Sequence, residues 1–159
     1  MLPCGERLVA FLGDAHDADR RRLLHAGGFW SKLGETAHLR DICAAYGYRP
    51  VGAPHGADAA SGRLDRAAGD GWLAVGDAAL AFDPLSSKGI ANALYTGLAG
   101  ARATAAEMAG DTSAGARYAA HVATIYTTYR AQLAQIYAIE TRWPQAPFWQ
   151  GRGSASPAI

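Results

Sequence analysis

The amino-acid sequence predicts an α/β fold in which one short buried strand is followed by two long helices. The apolar run Trp72–Gly76 lies between Gly71 and Asp77, a pattern typical of a buried central strand. Residues 88–108 are rich in alanine, which favours a helix. A second long helix is predicted after Ser113, a candidate N-cap, because an apolar stripe recurs there at helical spacing. The members of this stripe are Tyr118, Val122, Ile125, Tyr129, Leu133 and Ile136.

Shorter elements are predicted in the first third of the chain. Arg7–Gly13 is an apolar run suited to a strand, and residues 17–25 form a charged segment suited to a short helix. The pair Gly27–Gly28 is expected to end that helix. Apolar residues then approximate helical spacing over Phe29–Tyr46, and Gly47 is expected to cap this helix.

Proline and glycine mark the remaining connections. Residues 48–64 are rich in both and are expected to form a strand and an extended connector. Pro144 and Pro147 are expected to end the last long helix, and residues 151–159 to form a disordered tail. Three glycines in the alanine-rich helix indicate close packing against a neighbour, namely Gly89, Gly97 and Gly100.

The composition is that of a soluble globular protein. The chain has 159 residues, of which 50% are hydrophobic and 18% charged, and its formal net charge is +1. This length suits one domain, and the absence of a basic stripe gives no reason to expect nucleic acid or a membrane as a partner. Cys4 and Cys43 lack CxxC spacing, and the histidines lack metal-ligand spacing, so no metal is expected. Without a membrane-length apolar run or a secretory signal, the cytoplasm is the expected location.

The residues suited to chemistry are concentrated between Gly76 and Ile90. Gly76 allows the backbone to approach a ligand that a Cβ would block. Asp77 follows a predicted strand and can accept hydrogen bonds from sugar-like hydroxyls. The predicted helix start at Ser87–Ile90 offers unpaired N–H groups to an anion. From the residues alone, Asp77 is equally well explained as a helix cap and Pro84 as an ordinary loop proline.

The stretch GDAALAFDPLSSKGIANAL resembles the second flavin motif of class A flavoprotein monooxygenases and flavin-dependent halogenases. The resemblance extends from Pro54 to Trp149. It implies the C-terminal portion of a Rossmann-like, para-hydroxybenzoate-hydroxylase-like FAD-binding fold with long C-terminal helices. Residues 1–53 would then be part of the substrate-side region, and residues 54–150 part of the FAD-binding domain with its helical tail. The sequence has no GxGxxG pattern, so the N-terminal βαβ unit of such folds is expected to be absent.

The resemblance implies a role for each residue of the motif. Asp77 is expected to bind the ribityl chain of FAD, and Pro84 to lie beside the isoalloxazine ring. Backbone amides near Lys88, Gly89 and Ile90 are expected to face the N1/O2 edge of the flavin, where the reduced ring carries negative charge. The candidate catalytic residues are Pro84 and Lys88, although Lys88 also fits a solvent-facing helix position. The candidate FAD-binding residues are Gly76, Asp77, Ala78, Pro84, Ser87, Lys88, Gly89 and Ile90.

Candidates for contact with the substrate are His55, Trp143 and Phe148. His55 lies in the segment that the resemblance places near the substrate side. Trp143, Phe148 and Trp149 suit either an aromatic substrate pocket or the burial of the C-terminal helix.

The function that the resemblance implies is an FAD-dependent monooxygenase that hydroxylates a tryptophan-like aromatic substrate through a flavin hydroperoxide. The substrate would be an aromatic small molecule or a peptide tryptophan. Because the glycine pattern is missing, we expect a fragment, a truncated product or one subunit of a split enzyme, with a separate N-terminal FAD-binding half or a flavin reductase as partner. Lys88 before Gly89 resembles the hydroxylases more than the halogenases. A flavin-dependent halogenase, and a non-catalytic remnant or interaction subunit that retains the α/β core, are the alternatives.

Overall fold

The computed structural model describes residues 5–14, 17 and 19–153. The chain divides into two compact units, Met1–Ala57 and Asp58–Ile159. Helices predominate and the strands are short, so the expected mixture of helix and strand is confirmed, with little sheet. None of the helices in the described ranges combines the length and the apolar character that a membrane crossing requires.

The described part of the first unit contains three short helices: α1 (Arg20–Leu23), α2 (Ala26–Gly34) and α3 (Ala37–Tyr46). The helix predicted within residues 17–25 is confirmed as α1. The cap predicted at Gly47 is also confirmed, because this glycine follows α3 in the left-handed conformation with a φ of 64°.

The strand predicted at Arg7–Gly13 is wrong. No described strand pairs with this segment, and Leu8, Phe11 and Leu12 are exposed. An apolar run becomes a strand only where a neighbouring strand satisfies its backbone N–H and C=O groups.

Two further predictions in this unit are wrong. The pair Gly27–Gly28 lies inside α2 and does not end a helix. A Cβ on Gly28 would come within 2.2 Å of the carbonyl oxygen of Arg22 in α1. This glycine therefore permits α1 and α2 to approach closely. The single helix predicted over Phe29–Tyr46 is divided between α2 and α3, since Thr36 has an extended conformation with a ψ of 138°.

In the part of the second unit that the structure describes, four two-residue strands form two antiparallel pairs. They are β1 (Gly62–Arg63), β2 (Ala68–Gly69), β3 (Trp72–Leu73) and β4 (Leu80–Ala81). β1 pairs with β4, and β2 pairs with β3. The strand expected within residues 48–64 corresponds to β1 at the end of that segment.

The strand predicted at Trp72–Gly76 is confirmed only over Trp72–Leu73, as β3, and its predicted buried central position is wrong. Among the described residues, β3 pairs only with β2, through a tight turn in which Gly71 has a left-handed φ of 71°. Trp72 is 50% exposed and Val75 is 37% exposed. An Asp-Gly pair strongly favours a two-residue hairpin turn, and this local preference prevails over the apolar run.

The two long helices of the second unit are confirmed as α4 (Gly89–Met108) and α5 (Ala114–Ala138), which pack against each other. The close packing predicted for the glycines of α4 holds at Gly100, where a Cβ would come within 2.7 Å of a methyl group of Val75. It is wrong at Gly89 and Gly97, whose Cβ positions meet open space.

The apolar stripe of α5 faces the core, with one exception. Tyr118, Val122, Tyr129 and Leu133 are buried, whereas Ile136 is 49% exposed and its neighbour Tyr137 is buried in its place. Rotation of about 100° per residue carries position 137, four residues after Leu133, onto the same face as Leu133.

The start of α5 differs from the prediction in detail. Ser113 occupies the N-cap position, but its side chain makes no capping hydrogen bond. Asp111 instead accepts hydrogen bonds from the N–H and the hydroxyl of Ser113, at 3.1 and 2.7 Å.

The end of the chain also differs from the prediction. α5 ends at Ala138, well before Pro144, and Pro147 begins the short helix α6 (Pro147–Gly153). Proline suits the first position of a helix because its missing N–H would have no partner there. The disordered tail predicted from residue 151 is therefore wrong for residues 151–153. Residues 154–159 and Cys4 lie outside the described residues.

Candidate functional site

The segment from Gly76 to Ile90 connects β3 to α4 through two short turns. A 3₁₀ turn spans Gly76–Ala78, β4 follows, and a second 3₁₀ turn spans Pro84–Ser86. α4 begins at Gly89, within the predicted helix start at Ser87–Ile90. The first of these turns, Gly76–Ala78, packs against α4.

Gly76 is buried and is held against α4. Its φ is 59°, and a Cβ would come within 3.3 Å of the Cβ of Ala93. Its N–H donates to the hydroxyl oxygen of Thr96 at 2.8 Å, and that hydroxyl donates to the carbonyl of Asn92 at 2.8 Å. Asn92 also reaches the carbonyl of Leu80 with its side-chain amide at 3.4 Å. Gly76 thus serves packing here, in addition to any role toward a ligand.

Asp77 has an exposed carboxylate that is available to a ligand. It lies inside the 3₁₀ turn, whose N-cap is Val75, so it does not cap the turn. Among the described residues, its side chain makes no hydrogen bond or ion pair. Ala78 follows and is exposed as well.

The second turn is organised by Asp83. One oxygen of its carboxylate accepts a hydrogen bond from the N–H of Leu85 at 2.8 Å, and its carbonyl accepts one from the N–H of Ser86 at 2.9 Å. The other carboxylate oxygen accepts from the hydroxyl of Tyr137 at 2.8 Å. Pro84 is exposed at the start of this turn.

The N-terminus of α4 is open to solvent. Ser87 has a left-handed φ of 52°, and Lys88 is the N-cap. The N–H groups of Gly89 and Ile90 belong to the first turn and have no partner within the helix. A Cβ on Gly89 would meet no atom within 4 Å. The neighbouring residues Ser87, Lys88 and Ile90 are exposed, so an anionic group can approach this helix start from solvent.

Lys88 is turned toward α5. Its ammonium group donates to the side-chain carbonyl of Gln132 at 3.3 Å, and the side chain is exposed. Beside it lies a groove of about 260 Å³. The residues that line this groove are Phe82, Lys88, Thr124, Ile125, Thr128, Tyr129 and Gln132.

The candidates for the substrate side lie in different surroundings. His55 belongs to the first unit and is exposed. Trp143 is 51% exposed, with the guanidinium of Arg142 4.3 Å from its ring centroid. Phe148 packs against Tyr137, with ring centroids 6.4 Å apart. Contact of any of them with a substrate stays a prediction.

Four residues of the site's framework were not predicted as site residues: Asn92, Thr96, Tyr129 and Tyr137. Two of them carry a signal in the sequence, since Asn92 and Thr96 are polar residues four apart in an alanine-rich helix and lie on one face. The two tyrosines carry no such signal, because they belong to a stripe that suits the core equally well.

Comparison with known proteins finds similarity to a protein family and to a curated protein. A family model described as tryptophan halogenase matches residues 30–157. The chain is also 40% identical over 87 residues to an FAD-dependent oxidoreductase, LodB, of Marinomonas mediterranea. This alignment covers 55% of the chain and 23% of the relative, so the chain spans about a quarter of the relative's length. No solved structure matches the chain.

Proposed function

Because the chain belongs to the tryptophan halogenase family, we propose that it forms part of an FAD-dependent monooxygenase that hydroxylates a tryptophan-like aromatic substrate. The observation that carries this proposal is the pairing, on one segment, of a free carboxylate at Asp77 with an unobstructed helix start at Gly89. These two features suit the two parts of a flavin that differ most in chemistry, its polyol chain and its anionic ring edge.

The residues present fit the flavin half of FAD. An exposed carboxylate without a protein partner suits ribityl hydroxyls, which are hydrogen-bond donors. Helix amides with open space above them suit the N1/O2 edge of a reduced flavin, which carries negative charge. When bound, the flavin supplies the redox chemistry with oxygen, and the protein supplies orientation and electrostatics.

Each residue of the segment has a proposed task. Asp77 accepts hydrogen bonds from the ribityl hydroxyls, with Gly76 and Ala78 shaping the turn beside it. The amides of Gly89 and Ile90 hold the anionic ring edge without reorganising, because fixed dipoles are already aligned.

The remaining candidates lie around this ring edge. Pro84 forms the wall beside the ring, and Ser87 closes the same edge. Lys88, held by Gln132, adds a positive charge nearby.

The remaining parts of the enzyme are proposed on the resemblance. The fold would be the C-terminal portion of a Rossmann-like FAD-binding fold, and the nucleotide-binding half or a flavin reductase would be its partner. The substrate would be an aromatic small molecule or a peptide tryptophan. Trp143 and Phe148 are the proposed substrate contacts of the second unit, and His55 is the one proposed for the first unit.

Halogenation is the second candidate function. The observation in its favour is the same open helix start, because amides at a helix N-terminus bind anions, and a halide is one. Chloride or bromide that shifts the amide resonances of Gly89 and Ile90 at millimolar concentration would favour the halogenase. A response to flavin and none to halide would favour the hydroxylase.

The experiment that tests flavin binding is a titration of the isotope-labelled full chain with FAD, followed by amide resonances. We expect shifts confined to Gly76–Ile90. Asp77→Ala should weaken the apparent affinity by about tenfold, because hydrogen bonds to a charged group contribute about 1.5–3 kcal/mol.

Asp65→Ala is the matched control. Asp65 is also an exposed aspartate of the second unit with no partner among the described residues. Its loss should leave the titration unchanged. Absence of any FAD-dependent shift in the segment would contradict the proposal and favour a non-catalytic remnant or interaction subunit.

A further inference from the structure

Asp83 is hydrogen-bonded to two tyrosines of α5 that lie far from it in the sequence. Its backbone N–H donates to the hydroxyl oxygen of Tyr129 at 2.6 Å. Its carboxylate accepts from the hydroxyl of Tyr137 at 2.8 Å. The two tyrosines are eight residues apart on one face of α5, and both are buried.

The two hydroxyls are held in place by the packing of their rings. Tyr129 stacks on Phe82 with ring centroids 4.1 Å apart, and its hydroxyl also lies 2.6 Å from that of Ser61. Tyr137 packs edge-on against Phe148 and Trp149. Burial, and then the hydrogen bond to Asp83, raise the pKa of Tyr137, so its hydroxyl keeps the proton that it donates.

We propose that Tyr129 and Tyr137 are positioning residues that fix the flavin-facing loop from Asp83 to Gly89 against α5. This inference rests on the proposed function. Asp83 immediately precedes Pro84, whose φ is fixed by its ring, so the orientation of Asp83 is passed into the turn. Only Ser87 and Lys88 separate that turn from α4. A displacement at Asp83 therefore moves both the proline and the helix amides relative to the ring.

The first test measures hydrogen exchange of the loop amides in the absence of flavin. Hydrogen exchange is followed by NMR in the full chain for Tyr129→Phe and Tyr137→Phe, which retain the packed rings. We expect the amides of residues 85–87 to exchange about tenfold faster, because one hydrogen bond to the loop is lost.

The control for this test is Tyr118→Phe. Tyr118 is buried on the same helix, and its hydroxyl donates to the carbonyl of Ala74 at 2.7 Å, outside the loop. It should leave exchange at residues 85–87 unchanged. Hydrogen exchange at wild-type rates in both Tyr129→Phe and Tyr137→Phe would overturn the proposal. If either variant fails to fold, Asp83→Asn weakens the bond to Tyr137 without altering α5 and is held to the same expectation.

The second test separates positioning from stability alone. In an FAD titration, the chemical-shift changes at Gly89 and Ile90 should be smaller in Tyr129→Phe and Tyr137→Phe than in the wild type. The apparent affinity of these two variants for FAD should fall about tenfold. Tyr118→Phe should behave as wild type. If Tyr129→Phe and Tyr137→Phe exchange faster but respond to FAD as the wild type does, the positioning role is overturned and the proposal of flavin binding stands. A wild-type chain without any FAD response would instead overturn the proposed function, and the positioning role with it.

Discussion

Asp77 and Asp83 are six residues apart and have opposite environments. Asp83 uses its N–H, its carbonyl and both carboxylate oxygens within the protein, whereas the side chain of Asp77 makes no hydrogen bond with the described residues. Substituting a carboxylate that makes no contact within the fold costs little stability. Asp77 is therefore suited to a ligand and Asp83 to holding the loop in place.

Gly89 offers a direct test of close approach to the helix start. We expect Gly89→Val to slow flavin reduction or reaction with oxygen in the assembled enzyme by about 10²–10³, because a side chain would hold the ring away from the amides. The fold should be little affected, since a Cβ at this position meets open space. Stopped-flow absorbance for the rates and thermal unfolding of the chain would measure both.

Gly97→Val is the matched control for Gly89→Val. Gly97 lies in the same helix, and its Cβ position also meets open space. Wild-type flavin kinetics in Gly97→Val and slowed kinetics in Gly89→Val would support the assignment. Equal kinetics in both variants would place the flavin elsewhere.

α4 contacts the Gly76 turn and also begins directly after the loop that contains Pro84. Its first turns carry Asn92 and Thr96, which hold the Gly76 turn. Farther along, Gly100 is buried against Val75 and Leu73. The helix therefore orients the loop at its N-terminus and supports the strand that precedes that loop.

This arrangement predicts different outcomes for two glycines of one helix. Gly97→Ala should raise the free energy of unfolding by about 1 kcal/mol, because alanine favours helix and meets no neighbour. Gly100→Ala should be less stable than Gly97→Ala by about 1–3 kcal/mol, because its Cβ would lie 2.7 Å from Val75 and 2.9 Å from Leu73. Urea unfolding of both variants measures the difference, and equal stabilisation would contradict the packing at Gly100.

The features that are predicted correctly from the sequence are those that depend on a local pattern. α4 and α5 follow from alanine content and apolar periodicity, and the turn at Gly47 follows from the glycine itself. The buried central position predicted for the strand at Trp72–Gly76 is wrong because a short apolar run does not reveal which strand it pairs with. The bond between Asp83 and Tyr129 joins residues 46 positions apart, so no local pattern could have indicated it.

At the scale of the whole molecule, the site that we propose would contact only part of FAD. The features on Gly76–Ile90 suit the isoalloxazine ring and the ribityl chain. The pyrophosphate of FAD is normally held by a glycine-rich turn at a helix N-terminus, and the sequence contains no GxGxxG pattern. The relative that the chain matches is about four times as long as the part covered by the alignment.

We therefore expect the purified chain to be nearly colourless and to bind FAD with a dissociation constant on the order of 0.1 mM or weaker. Because the contacts reach only the flavin half, FMN should bind about as tightly as FAD, and ADP should not compete with either. Fluorescence titration with the three ligands, followed by gel filtration, measures this. A yellow protein that elutes with stoichiometric FAD, or a strong preference for FAD over FMN, would mean that the chain contains a site for the adenosine half that its sequence pattern does not indicate.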